Sequence, residues 1–226
     1  MNIIQTWKSK DLPHYYIPFY HNVMKHKGNW NYMFFDDNDV TEFVKTKMPE
    51  YYEFFTSLSV KIQQIDFFRY LAIYYYGGVY LDLDINVEED FNDLLAYDCA
   101  FPIELKNIND PLLLKQGQNF LIGNYAFYAK PKHPFIKHII DNLVQPKISL
   151  ADIQTGCLFN NDPSSQVFVY YTTGPILVSY SYATFIDKHG VKLLQRTPFE
   201  ENSFGKYGIH KMYGSWKLVS DKDILK

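Results

Sequence analysis

Residues 62–87 read IQQIDFFRYLAIYYYGGVYLDLDINV, and this stretch decides the fold. Its first half predicts a buried helix, because Ile62, Ile65, Phe68, Ala72 and Ile73 recur at spacings of three and four and form a core-facing stripe. Asp66 and Arg69 share another face of that helix. Gly77-Gly78 ends it, since glycine takes the positive-φ conformation that closes a helix without a Cβ clash. The second half predicts one strand over 79–87. Val79, Leu81, Leu83, Ile85 and Val87 alternate with Tyr80, Asp82, Asp84 and Asn86, which puts the apolar side chains on one sheet face and both aspartates on the other. Two residues of strand rise hold the aspartate Cα atoms roughly 6.5 Å apart. One divalent cation can then meet one carboxylate directly and the other directly or through water, and hard cations that carry diphosphates take oxygen ligands of this kind.

A D-x-D pair by itself is usually just solvated. Here the whole run from Asp66 to Asp84, D-x-x-R-Y-x-x-x-Y-x-Y-G-G-V-Y-L-D-x-D, resembles the signature of the DXD-containing glycosyltransferases, whose members include the fungal Golgi mannosyltransferases that start outer-chain glycans. Four further stretches carry the resemblance. The opening Ile3-Ile4-Gln5-Thr6-Trp7 matches a family motif in which Ile4 stands in place of a histidine, while Trp7 is kept. Asn124-Tyr125-Ala126-Phe127, with Lys132-His133-Pro134 downstream, resembles an asparagine-led strand followed by a His-Pro turn into a helix. Thr172-Thr173-Gly174-Pro175 matches a Thr-Gly-Pro turn, and His210 with Gly214-Ser215-Trp216 resembles the family's terminal histidine and Gly-Ser-Trp.

Composition narrows the alternatives. The chain has 226 residues and 26.7 kDa, enough for one domain over 1–226. A net charge of -3 leaves no basic field for nucleic acid phosphates, so no nucleic acid partner is expected. The aromatic share, 18%, fits a sugar-binding cleft and fits equally a bias of the genome. Two cysteines, Cys99 and Cys157, cannot make a disulfide framework for a chain of this size. Neither a signal peptide nor a transmembrane run of ~18 apolar residues is present. The expectation is a soluble or cytoplasmic domain with no membrane anchor in this chain.

Elsewhere the pattern alternates strand and helix, which argues an α/β fold. Strands are expected at 3–8, 30–35, 101–103, 119–129 and 191–194, and helices near 15–25, 39–47, 90–95, 134–143 and 176–187. Asp36-Asp37-Asn38 reads as a helix cap in preference to a ribose contact. Residues 106–118 read as a polar loop without period. His133 reads as a cap or turn residue.

The resemblance implies a GT-A type fold, a mixed central sheet flanked by helices. It implies a retaining transfer of a hexose from a nucleoside-diphosphate sugar, GDP-mannose or a UDP-hexose, to a hydroxyl of a glycan, lipid or protein-linked sugar acceptor. Mn2+ or Mg2+ would be held by Asp82 and Asp84 with His210. Asp66 and Arg69 would grip donor-sugar hydroxyls and, with Asp82 and Asp84, form the catalytic set. Trp7, Tyr70, Gly78, Asn124, Thr173, Gly174, Ser215 and Trp216 would complete the substrate contacts. Two other classes fit paired aspartates: a metal-dependent nucleotide-sugar phosphodiesterase or pyrophosphatase, and a non-catalytic sugar-nucleotide-binding module. A glycoside hydrolase fits less well, since its carboxylates flank the bond from opposite sides.

Overall fold

In the computed structural model, which describes residues 1–195, 201–214 and Lys217, the chain opens with strand β1 (Asn2–Thr6). Helix α1 (Ile17–His26), with Pro18 in its first turn, returns the chain to β2 (Asn31–Phe35), which runs parallel to β1. Asp36 then caps α2 (Asp37–Lys47): its carboxylate accepts from the backbone of Asn38 and Asp39, and Asp39 returns the bond to the Asp36 N–H. Helices α3 (Tyr52–Ser57) and α4 (Lys61–Tyr76) follow, and α4 feeds β3 (Gly78–Leu81), parallel to β1 on its other side.

The predicted stripe on α4 understates its burial. Every residue from Asp66 to Ile73 is buried, Phe67 and Leu71 as fully as Phe68 and Ile73, whereas Ile62 and Ile65 lie nearer the edge. The reason is position: α4 packs against β1, β3 and β7 on one side and against α2, α3, α6 and α8 on the others. A helix enclosed on all sides has no polar stripe.

The predicted strand over 79–87 is broken in the middle. β3 stops at Leu81, Asp82 to Asp84 make a turn closed by the Ile85 N–H donating to the Asp82 carbonyl at 3.2 Å, and β4 (Ile85–Val87) leaves the main sheet. Both faces of β3 are core, with Tyr80 in one apolar cluster and Val79 and Leu81 in another. The aspartates therefore do not share a strand face; they sit in the loop beyond the carboxyl end of a parallel strand, where open α/β sheets bind ligands.

The second half of the sheet is antiparallel apart from one late strand. β5 (Cys99–Lys106) leads through α5 (Pro111–Lys115) to β6 (Phe120–Ile122) and β7 (Ala126–Ala129). β7 pairs with β3, Ala126 opposite Leu81, and with β5. The run 119–129 is thus two strands with 123–125 between them, and the expected loop 106–118 contains the short α5, capped by Asp110. Helix α6 (Pro134–Val144) buries Phe135, Ile136, Ile139, Ile140 and Leu143, and His133 caps it by accepting the Phe135 N–H. Helices α7 (Leu150–Phe159) and α8 (Ser164–Thr172) occupy a stretch whose sequence shows no clear apolar period. α9 (Pro175–Thr184) leads to β8 (Val191–Leu194), parallel to β5. Last comes β9 (Gly208–His210), antiparallel to β4. Sheet order is β2-β1-β3-β7-β5-β6, with β8 also on β5: a mixed sheet with helices packed on it, the GT-A type architecture expected from the sequence.

Candidate active site

Three ligand atoms, one each from Asp82, Asp84 and His210, lie within 4.8 Å of one another. The pairing of β4 with β9 makes this happen. Ile85 stands opposite His210, and the Lys211 N–H donates to the Asp84 carbonyl at 3.0 Å, so a histidine 126 to 128 positions away in the chain is zipped against the turn. His210 Nε2 is 3.3 Å from Asp84 Oδ1, and the other Asp84 oxygen accepts the Tyr213 N–H at 2.8 Å. The His210 ring stacks on Tyr125, centroids 4.4 Å apart. Two carboxylates and an imidazole at this separation are a donor set that suits a divalent cation such as Mn2+.

Charge in the site is unbalanced toward the negative. Burial pushes the Asp82 carboxyl above its ordinary value, opposed by Arg69 and aided by the neighbouring Asp84. Burial acts on Asp84 too, but the His210 hydrogen bond and charge outweigh it and hold Asp84 below the usual carboxylate range. Burial would lower His210, yet Asp84, then Asp82 and Glu104, carry it above the ordinary imidazole value. An oxygen-rich pocket that draws in a proton is one a cation would neutralise.

Behind the turn lies a closed network. Arg69 on α4 reaches Asp66 at 3.1 Å and Asp82 at 3.4 Å, donates to the Asn124 carbonyl at 2.8 Å and lies over the Tyr80 ring. Asp66 accepts from Asn124 Nδ2 at 3.1 Å and Thr173 Oγ1 at 2.8 Å. Its burial, only partly offset by Arg69, lifts its carboxyl to about 6. Tyr70 Oη donates to the Thr173 carbonyl and accepts from Asn124. Asp66, Arg69 and Tyr70 of α4 thus meet the sequence-distant Asn124 and Thr173 beside Asp82. Tyr70 and Thr173 are wholly buried, so as placed they hold Asn124 and Asp66 and do not line an open surface.

Gly174 caps α9, buried, with its N–H donating to the Val169 carbonyl. Gly78 lies elsewhere than expected, at the opposite end of β3 from Asp82. Its φ is +115°, and a Cβ there would stand 2.1 Å from the Asn2 carbonyl oxygen, so the position demands glycine for the close approach of β1 and β3 and offers no surface to a ligand. Ser215 and Trp216 lie outside the described residues.

Trp7 follows β1, half-buried, its ring 4.8 Å from Tyr16 in edge contact. Tyr213 packs against Tyr15, Tyr16 and Phe19, so the segment that crosses Asp84 also joins the aromatic group around Trp7. Next to it a cavity of about 420 Å³ opens among Lys10, Leu12, Ile17, Tyr20, Tyr32 and Phe34. An apolar cavity of about 230 Å³ beyond Thr173, among Phe54, Leu58, Leu143 and Phe168, has no carboxylate in its wall.

Several residues of the site have no role assigned from the sequence, although Gln5, Tyr80 and Tyr125 stand inside the motifs quoted above. Gln5 is fully buried, donates to the Asp82 carbonyl at 3.3 Å and accepts from Tyr32. Tyr80, the tyrosine of the G-G-V-Y-L-D run, donates to Asp82 at 2.9 Å. Tyr125 and Glu104 reach the site through strand pairing, which a linear pattern does not reveal.

Comparison with known proteins agrees with this geometry. Residues 13–101 match the glycosyltransferase sugar-binding region containing DXD motif. The chain is 25% identical over 226 residues to the mannosyl phosphorylinositol ceramide synthase SUR1 of Saccharomyces cerevisiae, covering 97% of this chain and 52% of that one. It is 29% identical over 147 residues to the uncharacterized glycosyltransferase L373 of Acanthamoeba polyphaga mimivirus, covering 63% of this chain and 55% of that one. It spans about half the length of the curated relatives it matches. Among solved structures, the PaToxG glycosyltransferase aligns with a TM-score of 0.53 at 15% identity, over 83% of this chain and 70% of that one, a likeness of fold. The matched region contains α4, β3 and both aspartates of the turn, so the likeness to the DXD-containing glycosyltransferases falls on the part of the chain that builds the candidate site.

Proposed function

We propose that the protein is a retaining, metal-assisted glycosyltransferase that moves a hexose from a nucleoside-diphosphate sugar to an acceptor hydroxyl. The observation that carries this reading is the cluster of Asp82, Asp84 and His210 at the carboxyl end of β3, backed by Arg69 and Asn124. The relatives named as mannosyltransferases favour mannose, with GDP-mannose the first donor to try and UDP-hexoses the second. Their names also favour a hydroxyl of an inositol lipid as acceptor, beside glycan and protein-linked sugars.

In this reading Asp82, Asp84 and His210 hold Mn2+ or Mg2+, which when bound neutralises the charge gathering on the departing diphosphate. Trp7 and the aromatic residues around it give the nucleoside a surface to lie on. Arg69 favours the ionised form of Asp82, and Asn124, whose Nδ2 donates to Asp66 and Tyr70, would meet a donor-sugar hydroxyl through its amide oxygen. Asp66 is not a free nucleophile: one oxygen accepts from Thr173 and the other contacts Arg69 and Asn124. That supports a front-face attack, in which the leaving phosphate takes the acceptor's proton and the anomeric configuration is retained.

The test is nucleotide release from a donor panel, with and without manganese, with and without acceptor. Sugar appearing on the acceptor supports the proposal. Sugar or sugar phosphate released to water alone, whatever acceptor is added, points to a phosphodiesterase or pyrophosphatase, and binding without release points to a non-catalytic module.

A further inference from the structure

Glu104 is the one member of the site for which the preceding sections give no task. It sits in β5 where the pairing with β6 slips: Ile103 is opposite Ile122 and Leu105 opposite Leu121, so Glu104 is the extra residue of a bulge. A bulge re-aims one side chain out of the alternation of its strand, and bulges gather beside active sites for that reason. The carboxylate turns toward Gly123, where a Cβ would stand 3.1 Å from Glu104 Oε2 and 2.4 Å from the Tyr125 ring, so only glycine leaves room for it. Burial lifts its carboxyl to about 7, opposed by the charges of His210 and Lys217 and aided by that of Asp82. A half-buried carboxylate with no side-chain hydrogen bond among the described residues has acceptor capacity to offer a ligand.

The order of the sheet says which ligand. β1, β3, β7 and β5 are consecutive neighbours, and along that edge they present Trp7, then Asp82, then Asn124, then Glu104. A donor laid along it with its nucleoside at Trp7 and its diphosphate at Asp82 puts its sugar over Asn124. The next position belongs to whatever approaches the sugar from the far side. Building on the transferase reading above, we infer that Glu104 is an acceptor-binding residue, its carboxylate accepting a hydrogen bond from a hydroxyl of the incoming polyol or sugar. In the step it serves, the acceptor oxygen bonds to the anomeric carbon and the bond from that carbon to the diphosphate oxygen breaks. The hydroxyl proton passes to the departing diphosphate. Glu104 orients and does not keep the proton.

The experiment compares the full chain with its Glu104→Ala and Glu104→Gln variants, using GDP-mannose and Mn2+, with methyl α-mannoside and phosphatidylinositol in detergent micelles as acceptor probes. The expected result is a rise of about 10–100-fold in the acceptor KM of Glu104→Ala, with a smaller rise for Glu104→Gln. Calorimetric affinity for GDP and Mn2+ should stay within about twofold, since Glu104 lies past the donor, and melting temperatures measure folding separately. An unchanged acceptor KM, or donor affinity lost in parallel with it, overturns the assignment of Glu104 alone. If the wild-type protein binds neither GDP nor UDP with the metal, the transferase reading itself fails, and the calorimetry shows this before any variant is made.

Discussion

Arg69 stands between two carboxylates, 3.1 Å from Asp66 and 3.4 Å from Asp82, with all three side chains largely withdrawn from water. Removing the cation leaves the buried Asp66 facing the partly exposed Asp82, so Arg69→Met should lose up to about 3–5 kcal/mol of stability by chemical denaturation at alkaline pH. The loss should shrink in acid. Asp66 already titrates at about 6 in the folded chain, above its unfolded value, so its contribution to stability is complete below the unfolded pKa and is lost as pH rises through the folded one. Without Arg69 that pKa climbs further and the alkaline loss grows. An Arg69→Met deficit that is flat with pH would contradict this charge balance. Asp84 and His210 shift in opposite directions, the carboxyl down and the imidazole up. In metal-free protein their pair therefore supports the fold between those two points, weakening as pH falls through the depressed Asp84 pKa and as it rises through the raised His210 pKa. His210→Ala should cost about 1.5–3 kcal/mol within that window and less on either side, read from thermal melts in chelator across a pH series.

β3 and the turn after it differ in what their residues hold up, although the sequence 79–87 alternates evenly across both. Leu81 is fully buried in the cluster of Val79, Ile85 and Phe91, so Leu81→Ala should cost about 2–5 kcal/mol through a cavity. Leu83 lies in the turn and, though only 5% exposed, belongs to neither large apolar cluster that β3 joins, so Leu83→Ala should fall at or below the low end of that range. Equal melting losses for the two would contradict this difference in packing. The element scale is where the sequence is most and least legible. Helix caps at Asp36 and His133, the buried stripe of α6 and β8 over 191–194 follow from local chemistry and stand where that chemistry puts them. The break at Asp82 does not, because a period-two pattern is kept through a tight turn whenever both flanking strands are buried. The enclosure of α4 is equally silent, since it depends on which helices arrive to cover it.

At the scale of the whole molecule the site is a meeting of distant segments: the end of β1 with Trp7, the network of α4 with Asn124 and Thr173, the turn after β3, and the returning strand β9. The D-x-x-R and D-x-D spacings are readable because each is local, and His210 is singled out by its resemblance to the family's terminal histidine. That His210 pairs across from Ile85, that Tyr213 covers Asp84 and that Gln5 braces Asp82 are not readable, since strand register and main-chain hydrogen bonds over such separations leave no spacing in the chain. The segment 208–214 is held to the turn largely by the β4 pairing and by the Lys211 and Tyr213 amides on Asp84. Hydrogen exchange of those two amides should slow when nucleotide and Mn2+ are added together and stay unchanged with nucleotide in chelator, because a ligand bound at the turn stabilises the state in which it is closed. The most direct measurement is calorimetry of GDP and UDP binding to the wild-type chain and to Asp84→Asn, each in Mn2+ and in chelator. If Asp82, Asp84 and His210 hold the cation that carries a diphosphate, one nucleotide binds the wild type with Mn2+, and chelator or Asp84→Asn weakens that binding by at least about tenfold. Equal affinity under all four conditions would contradict the metal site and the mechanism built on it.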